Sequence, residues 1–242
     1  GSGATNEIRG LTDQNVADIT AAAKGKGLGD IGDLNGGSSD LQDKRYLAKI
    51  DWNITNNHRA SFTYSQTKEN KPIITGNTNI LVLSSGWYKT NVDNKSYALH
   101  FYDDWSDVFS TDTTVSYADF QQNRGPYNGV AQPDVSVCLN STSGCISSSS
   151  SPGVEFGTEY SSQANVLRVK TLNAAWAGTL YLGDHTVKGG FDFQRGQYYN
   201  LFLQNAFGSY QFKTLADFVS GNYYQYRYNA PVRQTYRAAP QY

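Results

Sequence analysis

The sequence of 242 residues lacks several features by which common protein classes are recognised. It has no run of about 18 consecutive apolar residues, which excludes a membrane-spanning helix but not membrane-spanning strands, because those alternate polar and apolar residues. It has no basic block and a formal net charge of −1, so nucleic acid is not an expected partner. The two classes left to separate are a soluble β protein and a membrane β-barrel.

Chemically reactive residues are also scarce, with two cysteines and three histidines in the chain. His58, His100 and His185 lie far from each other and from the cysteines, so a zinc site is not expected. Because Cys138 and Cys145 lie in a Ser- and Gly-rich stretch, we expect a disulfide at a loop tip, with two free thiols as the alternative. No nucleophile or phosphate-binding motif accompanies the histidines. We therefore predict a protein that is not an enzyme and that has no metal and no cofactor.

One segment near the start of the chain has the features of a helix. Thr12 fits the N-cap position, Gly25 fits the position after the helix, and helix-forming residues lie between them. We predict a short surface helix here. A G-x-G-x-x-G pattern at residues 27–32 follows this helix instead of a strand, so we interpret it as a loop and not as a dinucleotide site.

From Asp43 onward the sequence alternates between apolar and polar residues, which indicates strands with one apolar face. Such segments form three pairs, each joined by a short turn, within residues 46–64, 97–117 and 166–195. The connections between the pairs are long and polar, at residues 68–94, 123–163 and 199–222. Connections above about 12–15 residues are uncommon in compact soluble domains. Short turns that alternate with long loops are typical of outer-membrane barrels.

Aromatic residues concentrate toward the ends of the predicted strands, where membrane barrels place rings at the level of the lipid headgroups. The faces opposite the apolar ones are polar throughout, as a water-filled lumen requires. An alternative is a secreted or surface β-sandwich carbohydrate-binding module, in which the aromatic rings fill the space between two sheets.

Three segments also carry a resemblance to a known family. They are residues 43–59 (DKRYLAKIDWNITNNHR), residues 183–193 (GDHTVKGGFDF), and residues 200–210 together with 215–218. The first two are similar to hairpins of TonB-dependent outer-membrane receptors, in particular the Oar-like group, and the third resembles the extracellular stretch that follows the second hairpin. The resemblance covers about residues 43–228.

The resemblance implies an all-β fold, namely a segment of an antiparallel up-and-down transmembrane β-barrel with short periplasmic turns and long extracellular loops. Residues 1–42 would be an extracellular loop region with the short helix, residues 43–228 about six to eight strands of a 22-stranded barrel, and residues 229–242 a loop or tail. Open sheet edges are not tolerated in hydrocarbon. We therefore expect that the rest of the receptor lies outside this sequence or that further chains complete the sheet.

The function implied is binding of an extracellular nutrient by the long loops and its import across the bacterial outer membrane. The implied partners are outer-membrane lipid, the remainder of the barrel with its plug domain, TonB, and a small-molecule, oligosaccharide or peptide ligand. Loop aromatics and one arginine are the candidate ligand-binding residues, since tyrosine rims suit such ligands. For each of them, capping a strand end or marking an outer girdle is an equally good interpretation. The candidates are Trp87, Tyr88, Arg124, Tyr127, Tyr198, Tyr199, Tyr223 and Tyr224.

Overall fold

The structure is a computed structural model that describes residues 8–34, 38–145 and 151–230. Its elements, in chain order, are α1 (Asp13–Gly25), β1 (Gln42–Asn53), β2 (His58–Ile73), β3 (Ile80–Val82), a 3₁₀ turn (Ser84–Gly86), β4 (Tyr88–Ser106), β5 (Phe109–Pro126), β6 (Asp134–Cys138), β7 (Gly153–Phe156), β8 (Asn165–Leu182), β9 (His185–Phe202), β10 (Ser209–Phe212), α2 (Leu215–Ser220) and β11 (Gln225–Arg227). Of the helices in this part of the chain, none has the length and apolar character that a membrane crossing requires. Most of the predicted tail, residues 231–242, lies outside the described residues.

Six long strands form one antiparallel sheet, which we call the long sheet, in the order β1-β2-β4-β5-β8-β9. The three predicted hairpins are confirmed as β1–β2, β4–β5 and β8–β9, and their short turns lie at one end of the sheet. β1 and β9 each have a single neighbour within the described residues, so the sheet is not closed into a barrel.

One face of the long sheet is apolar across all six strands. The antiparallel register aligns one residue from each strand in a single row near the middle of this face: Ile50, Phe62, Leu99, Val115, Ala174 and Phe193. Next to it, on the side away from the short turns, Tyr64, Tyr97 and Tyr117 form a row of rings with centroids 5.1 Å and 6.4 Å apart. The opposite face of the same segments carries mostly Ser, Thr and charged residues. The period-two pattern thus gives a sheet with one face suited to an apolar environment and one suited to water.

The apolar region does not run straight across the strands. On β1 it extends up to Tyr46, whose aligned residue on β9 is Gln197, whereas the uninterrupted apolar stretch on this face of β9 ends at Phe193 and is followed by Arg195 and Gln197. Strands of membrane barrels are tilted by about 35–45°, so a level hydrocarbon layer crosses successive strands at shifted residues. The end of the apolar region is therefore displaced along the strands from β1 to β9, as expected for strands that are tilted relative to the membrane.

The strands extend beyond the predicted hairpins into the predicted loops. β4 has 19 residues and β2 has 16, whereas about 9–11 residues span the hydrocarbon. Above the row of tyrosines both faces of β2 and β4 are mainly polar, so the alternation that marks a half-apolar strand disappears there although the backbone pairing continues. The turn of the second hairpin is limited to Asp107 and Val108, since β4 ends at Ser106 and β5 begins at Phe109. Asp103 lies in β4, and its Oδ1 is hydrogen-bonded to His58 Nδ1 at 2.7 Å.

The sequence led us to expect that the three long connections are irregular loops, but the structure shows that they are folded. Together with the N-terminal segment they form a second unit, the loop domain, which contains α1, α2 and a five-stranded sheet in the order β11-β10-β6-β7-β3. Two of its pairings, β6 with β10 and β3 with β7, are parallel and join different connections. The loop domain is therefore assembled from segments distant in sequence.

The loop domain has its own apolar core, in which α1 takes part. Thr12 caps α1 as predicted, with its Oγ1 accepting from the Asn15 backbone N–H. α1 lies at the surface as predicted, with most of its residues exposed, and it buries one side, on which Ile19 and Ala23 are fully buried. These residues are four positions apart and so share one side of the helix, which packs into the same core as Phe156 and Phe218.

Buried polar side chains tie the connections together. Ser85 Oγ donates to the Ile31 carbonyl at 2.5 Å and accepts from the Gly157 N–H at 2.9 Å. The Gln163 side chain donates to the Gly208 carbonyl at 3.0 Å and accepts from the Phe207 N–H at 2.7 Å. Ser85 thus binds backbone groups of two segments distant in sequence, and Gln163 binds two adjacent backbone groups of a third, so the loop domain has specific contacts between its parts.

Candidate ligand-binding site

The small sheet of the loop domain is itself two-sided, and its polar side forms a cavity. Along β6, Val135 and Val137 face the apolar core, while Asp134 and Ser136 face the other way. The pairing sets Ser136 between Gln211 and Glu155. These side chains are part of the lining of a cavity of about 220 Å³, together with Asn77, Ile80, Cys145, Tyr160, Asn205, Ser209 and Arg227.

Two acceptors in this cavity lack donors. Asp134 is 5% exposed and Gln211 is 9% exposed, and neither Asp134 Oδ1 nor Gln211 Oε1 has a hydrogen-bond partner within the described residues. A buried acceptor without a donor costs about 1–3 kcal/mol, more when it is charged. A ligand that brings hydroxyl or amino donors into the cavity recovers that free energy.

Two acidic residues of the cavity, Asp134 and Glu155, have raised pKa values. Burial raises the pKa of Asp134 well above its ordinary value, and the negative charges of Glu155 and Glu159 raise it further. Burial, followed by the charge of Glu159, raises the pKa of Glu155 to about 7. The site therefore changes its charge near neutral pH, and a positively charged or hydrogen-bond-donating ligand favours the ionised form.

The donor set does not favour a metal ion. Across residues 8–34, 38–145 and 151–230, no group of three or more His, Cys, Asp or Glu side chains is arranged to hold one. Arg227 also lines the cavity, so it contains a fixed positive charge besides the carboxyls. This mixture of acceptors, one guanidinium and a tyrosine suits a polar organic ligand.

A cluster of tyrosines lies on the other side of strands β10 and β11. Tyr210 and Tyr226 have ring centroids 4.6 Å apart, Tyr223 lies 5.9 Å from Tyr210, and Tyr228 stacks on Tyr226 at 6.5 Å. Tyr223, Tyr226 and Tyr228 are exposed. Flat exposed rings of this kind stack on sugar faces and on other aromatic groups.

Four of the predicted ligand residues meet where the β4–β5 hairpin enters the loop domain. Trp87 is 7% exposed, and its Nε1 donates to the Val82 carbonyl at 3.3 Å. Its ring meets Tyr127 edge-on at 5.4 Å. The Arg124 guanidinium lies 5.2 Å from the ring centroid of Tyr88. The burial of Trp87 makes it a packing residue at this junction, in line with the second interpretation of these aromatics.

The other four predicted residues lie elsewhere. Tyr198 and Tyr199 belong to β9 and not to a loop, and as adjacent residues in a strand they point to opposite faces. Tyr223 belongs to the tyrosine cluster. Tyr224 lies under the Lys213 ammonium, at 4.5 Å from its ring centroid. The structure thus divides the predicted set among the junction, β9 and the region around β11.

The structure joins Cys138 and Cys145 in a disulfide with a Cα–Cα distance of 5.4 Å. The bond is not at an exposed tip, because both residues are buried and pack with Ile80, Val82 and Trp87. It links the end of β6 to the segment that follows.

The cavity residues were missed because they lie in a stretch interpreted as a loop. Asp134, Val135, Ser136 and Val137 do alternate, which is a strand signal, but the run is short and surrounded by Gly, Ser and Pro. Nothing in the local pattern indicates that Glu155 and Gln211 become the neighbours of Ser136.

The long sheet is a meander of antiparallel strands with one apolar face and a row of tyrosines. Its short turns lie at one end, and a folded domain built from the long connections lies at the other. These features define the wall of a membrane β-barrel. The comparison of sequences agrees: residues 12–242 match the family described as outer membrane beta barrel domain, and the chain belongs to it. It is accordingly a protein of the bacterial outer membrane, and the apolar face of the long sheet is the one that contacts lipid.

Searches of curated proteins and of solved structures found no significant match.

Proposed function

We propose that the chain is part of a TonB-dependent receptor that binds an extracellular nutrient and imports it across the outer membrane. The long sheet would be part of the barrel wall, completed by strands outside this sequence, with a plug domain in the lumen and TonB as the energy-coupling partner. The loop domain would lie outside the cell, since membrane barrels have long connections on that side and short turns in the periplasm.

The observation that carries this proposal is the folding together of all three long connections into one domain with a polar cavity. Long extracellular connections are common to membrane barrels, so what favours a receptor is their folding into one domain around a cavity and not their length. A receptor needs a preformed concave site with a few placed polar groups, and Asp134, Glu155 and Gln211 supply them. The candidate ligand classes are a small polar molecule, an oligosaccharide and a peptide. The tyrosine cluster, on the other side of the small sheet, is a separate surface on which a sugar or an aromatic group can stack.

We further propose binding without catalysis. His100 is the histidine best placed to act as a base on the polar face, but its Nε2 hydrogen-bonds Asp112 Oδ1 at 2.7 Å and its Nδ1 hydrogen-bonds the Tyr102 hydroxyl at 2.8 Å. The hydroxyl on this histidine belongs to a tyrosine and not to a serine, threonine or cysteine, so the contact is not the nucleophile pair of a hydrolytic triad.

The secreted β-sandwich is the weaker alternative. In the described part of the chain, no second sheet covers the apolar face of the long sheet, since Ile50 is 65% exposed and Phe191 is 64% exposed, whereas a sandwich buries that face. Membership of an outer-membrane family also favours the barrel.

The test of import uses the parent bacterium, with the medium itself as the source of ligands. Mass spectrometry compares the medium after growth of wild-type cells, of cells without this protein, and of cells without TonB. We expect the same compounds to remain unconsumed in both deletion strains. Consumption that depends on this protein but is unchanged without TonB would contradict the proposal.

The role of the cavity is tested in the same assay with the paired substitutions Asp134→Asn and Glu155→Gln. The matched control is Asp184→Asn, which also removes a carboxylate but lies in the short turn between β8 and β9. We expect the cavity variant to lose consumption of the compound and the control to keep it, with both proteins present in the membrane at equal amounts.

A further inference from the structure

A second cavity lies on the lipid-facing side of the long sheet. It has a volume of about 350 Å³ and is lined mainly by polar residues of β1, β2, β4 and β5, among them Lys44, Lys68, Glu69, Asn70, Asn91, Asp93 and Asn123. In the paired register all of these except Glu69, which belongs to the opposite face of β2, lie on the same face as the apolar row and the tyrosines.

The level of this cavity relative to the membrane follows from the strand geometry. Lys68 lies four residues beyond Tyr64 along β2, which is about 13 Å along the strand at 3.3 Å per residue. Because the tyrosine row lies at the headgroup boundary, the cavity faces the polar layer just outside the hydrocarbon. A group that fills it comes from the headgroup region of the outer leaflet.

The lysines on this face near the cavity are only partly neutralised by acidic neighbours. The same face carries Lys95 and Lys170, which form ion pairs with Asp93 at 3.7 Å and Asp119 at 4.0 Å. Asp93 also accepts a hydrogen bond from Gln66 Nε2 at 2.7 Å.

Lys44 and Lys68 are different, because they are directly opposite each other on paired strands. No ion pair among the described residues involves either of them. Like charges that face each other across two strands are destabilising. An anion bound between the two ammonium groups removes this repulsion, and the Asn70 and Asn91 amides beside them supply further hydrogen-bonding groups.

We propose that this cavity binds the phosphorylated sugar headgroup of an outer-leaflet glycolipid, with Lys44 and Lys68 on the phosphate and the neighbouring amides on sugar hydroxyls. The acyl chains of such a lipid would then lie along the apolar face below the tyrosines. The site is independent of nutrient import, since it lies on the outer wall and not in the loop domain.

The test uses the full-length protein in phosphatidylcholine nanodiscs that contain either diphosphoryl lipid A or its dephosphorylated form, with bound lipid measured by native mass spectrometry. We expect the wild type to prefer the phosphorylated form. The double substitution Lys44→Gln and Lys68→Gln should reduce that preference about tenfold. The matched control, Lys49→Gln and Lys71→Gln, changes the same charge on the same two strands but on the lumen-facing side, and should retain it.

An arginine variant and a salt dependence extend the test to the case in which the glutamine variant does not fold. If the glutamine variant fails to fold, as seen by loss of heat-modifiable migration, Lys44→Arg with Lys68→Arg should fold and bind, and rising salt should weaken binding to the wild type. Equal binding of both lipid forms, or equal loss in the control pair, would overturn the proposal. Displacement of the lipid by inorganic phosphate at equal concentration would also overturn it, because the site would then recognise free phosphate.

Discussion

The loop domain and the long sheet bury their apolar side chains in different ways. In the loop domain Phe156 is 1% exposed and meets Phe218 edge-on with ring centroids 5.9 Å apart. In the long sheet Phe191 is 64% exposed, although it lies on the apolar face. The loop domain encloses its own core, whereas the long sheet needs lipid on one face and further strands at its edges. One chain thus contains a self-sufficient unit and a unit that depends on its surroundings.

The largest effect should come from opening the core of the loop domain. Phe156→Ala removes a fully buried ring and leaves a cavity, so we expect a loss of about 3–5 kcal/mol in the free energy of unfolding of this domain. The measurement is pulse proteolysis of the loop domain in the folded, membrane-inserted protein. Phe191→Ala, which truncates the same side chain on the lipid-facing side, should leave the protease resistance of the loop domain unchanged. Equal loss in both variants would remove the distinction between the two units.

A charge on the lipid-facing side should affect the long sheet instead. Val115→Arg places a guanidinium near the middle of the apolar face, which costs about 2–4 kcal/mol in a membrane barrel. Thr114→Arg places it one residue away on the polar face, where water solvates it. Assembly in the outer membrane, followed by heat-modifiable migration, should fail or weaken only for Val115→Arg. A larger defect in Thr114→Arg would reverse the assignment of the two faces.

Removal of the disulfide should affect only the loop domain, by about 2 kcal/mol, because the bond closes a short ring. The variant is Cys138→Ala with Cys145→Ala, which keeps small apolar side chains at two buried positions. Urea-dependent proteolysis should show a lower midpoint for the loop domain and an unchanged assembly of the barrel. An unchanged midpoint would indicate that packing alone holds the end of β6, the central strand of the small sheet.

The most localised effect is a pH dependence that belongs to the cavity. The pKa of Glu155 is raised from 4.5 to about 7 in the folded protein, so between these values the folded state holds a proton that the unfolded state has lost. Its stabilising contribution is complete below about pH 4.5 and is lost as the pH rises through 7, on the order of 3 kcal/mol over the whole range. Hydrogen exchange of β6 and β7 should therefore become faster across this range, beyond the intrinsic change in exchange rate.

The substitution Glu155→Gln should flatten this dependence. A profile that is the same in the variant and the wild type would show that Glu155 is not the titrating group.

The sequence predicts the long sheet well where lipid lies on one side and water on the other. Ile50 and Trp52 alternate with Lys49 and Asp51, so the local pattern alone defines the strand and its faces. The same reasoning ends each strand too early, because residues such as Asn91 and Asn123 have polar surroundings on both faces while still paired in the sheet.

The loop domain and its cavity could not be predicted in the same way. The pairing of Val135 with Tyr210 and of Leu81 with Val154 joins segments from different connections in parallel strands, and no local periodicity encodes such partners. The helix α1 was predictable from Thr12 and its capping pattern, but its burial depends on a sheet that the sequence did not reveal. The lack of a hydrogen-bond donor for Asp134 Oδ1 could not be predicted either, because the surroundings of this side chain come from segments distant in sequence.

The most direct test of the lipid-facing assignment is spin-label accessibility along β5 in the full-length protein in nanodiscs. Single labels at successive residues 113–118 report collisions with oxygen, which concentrates in lipid, and with a water-soluble nickel complex. We expect the labels at Thr113, Val115 and Tyr117 to favour oxygen and those at Thr114, Ser116 and Ala118 to favour the nickel complex. A profile without this alternation, or with its phase reversed, would contradict the account.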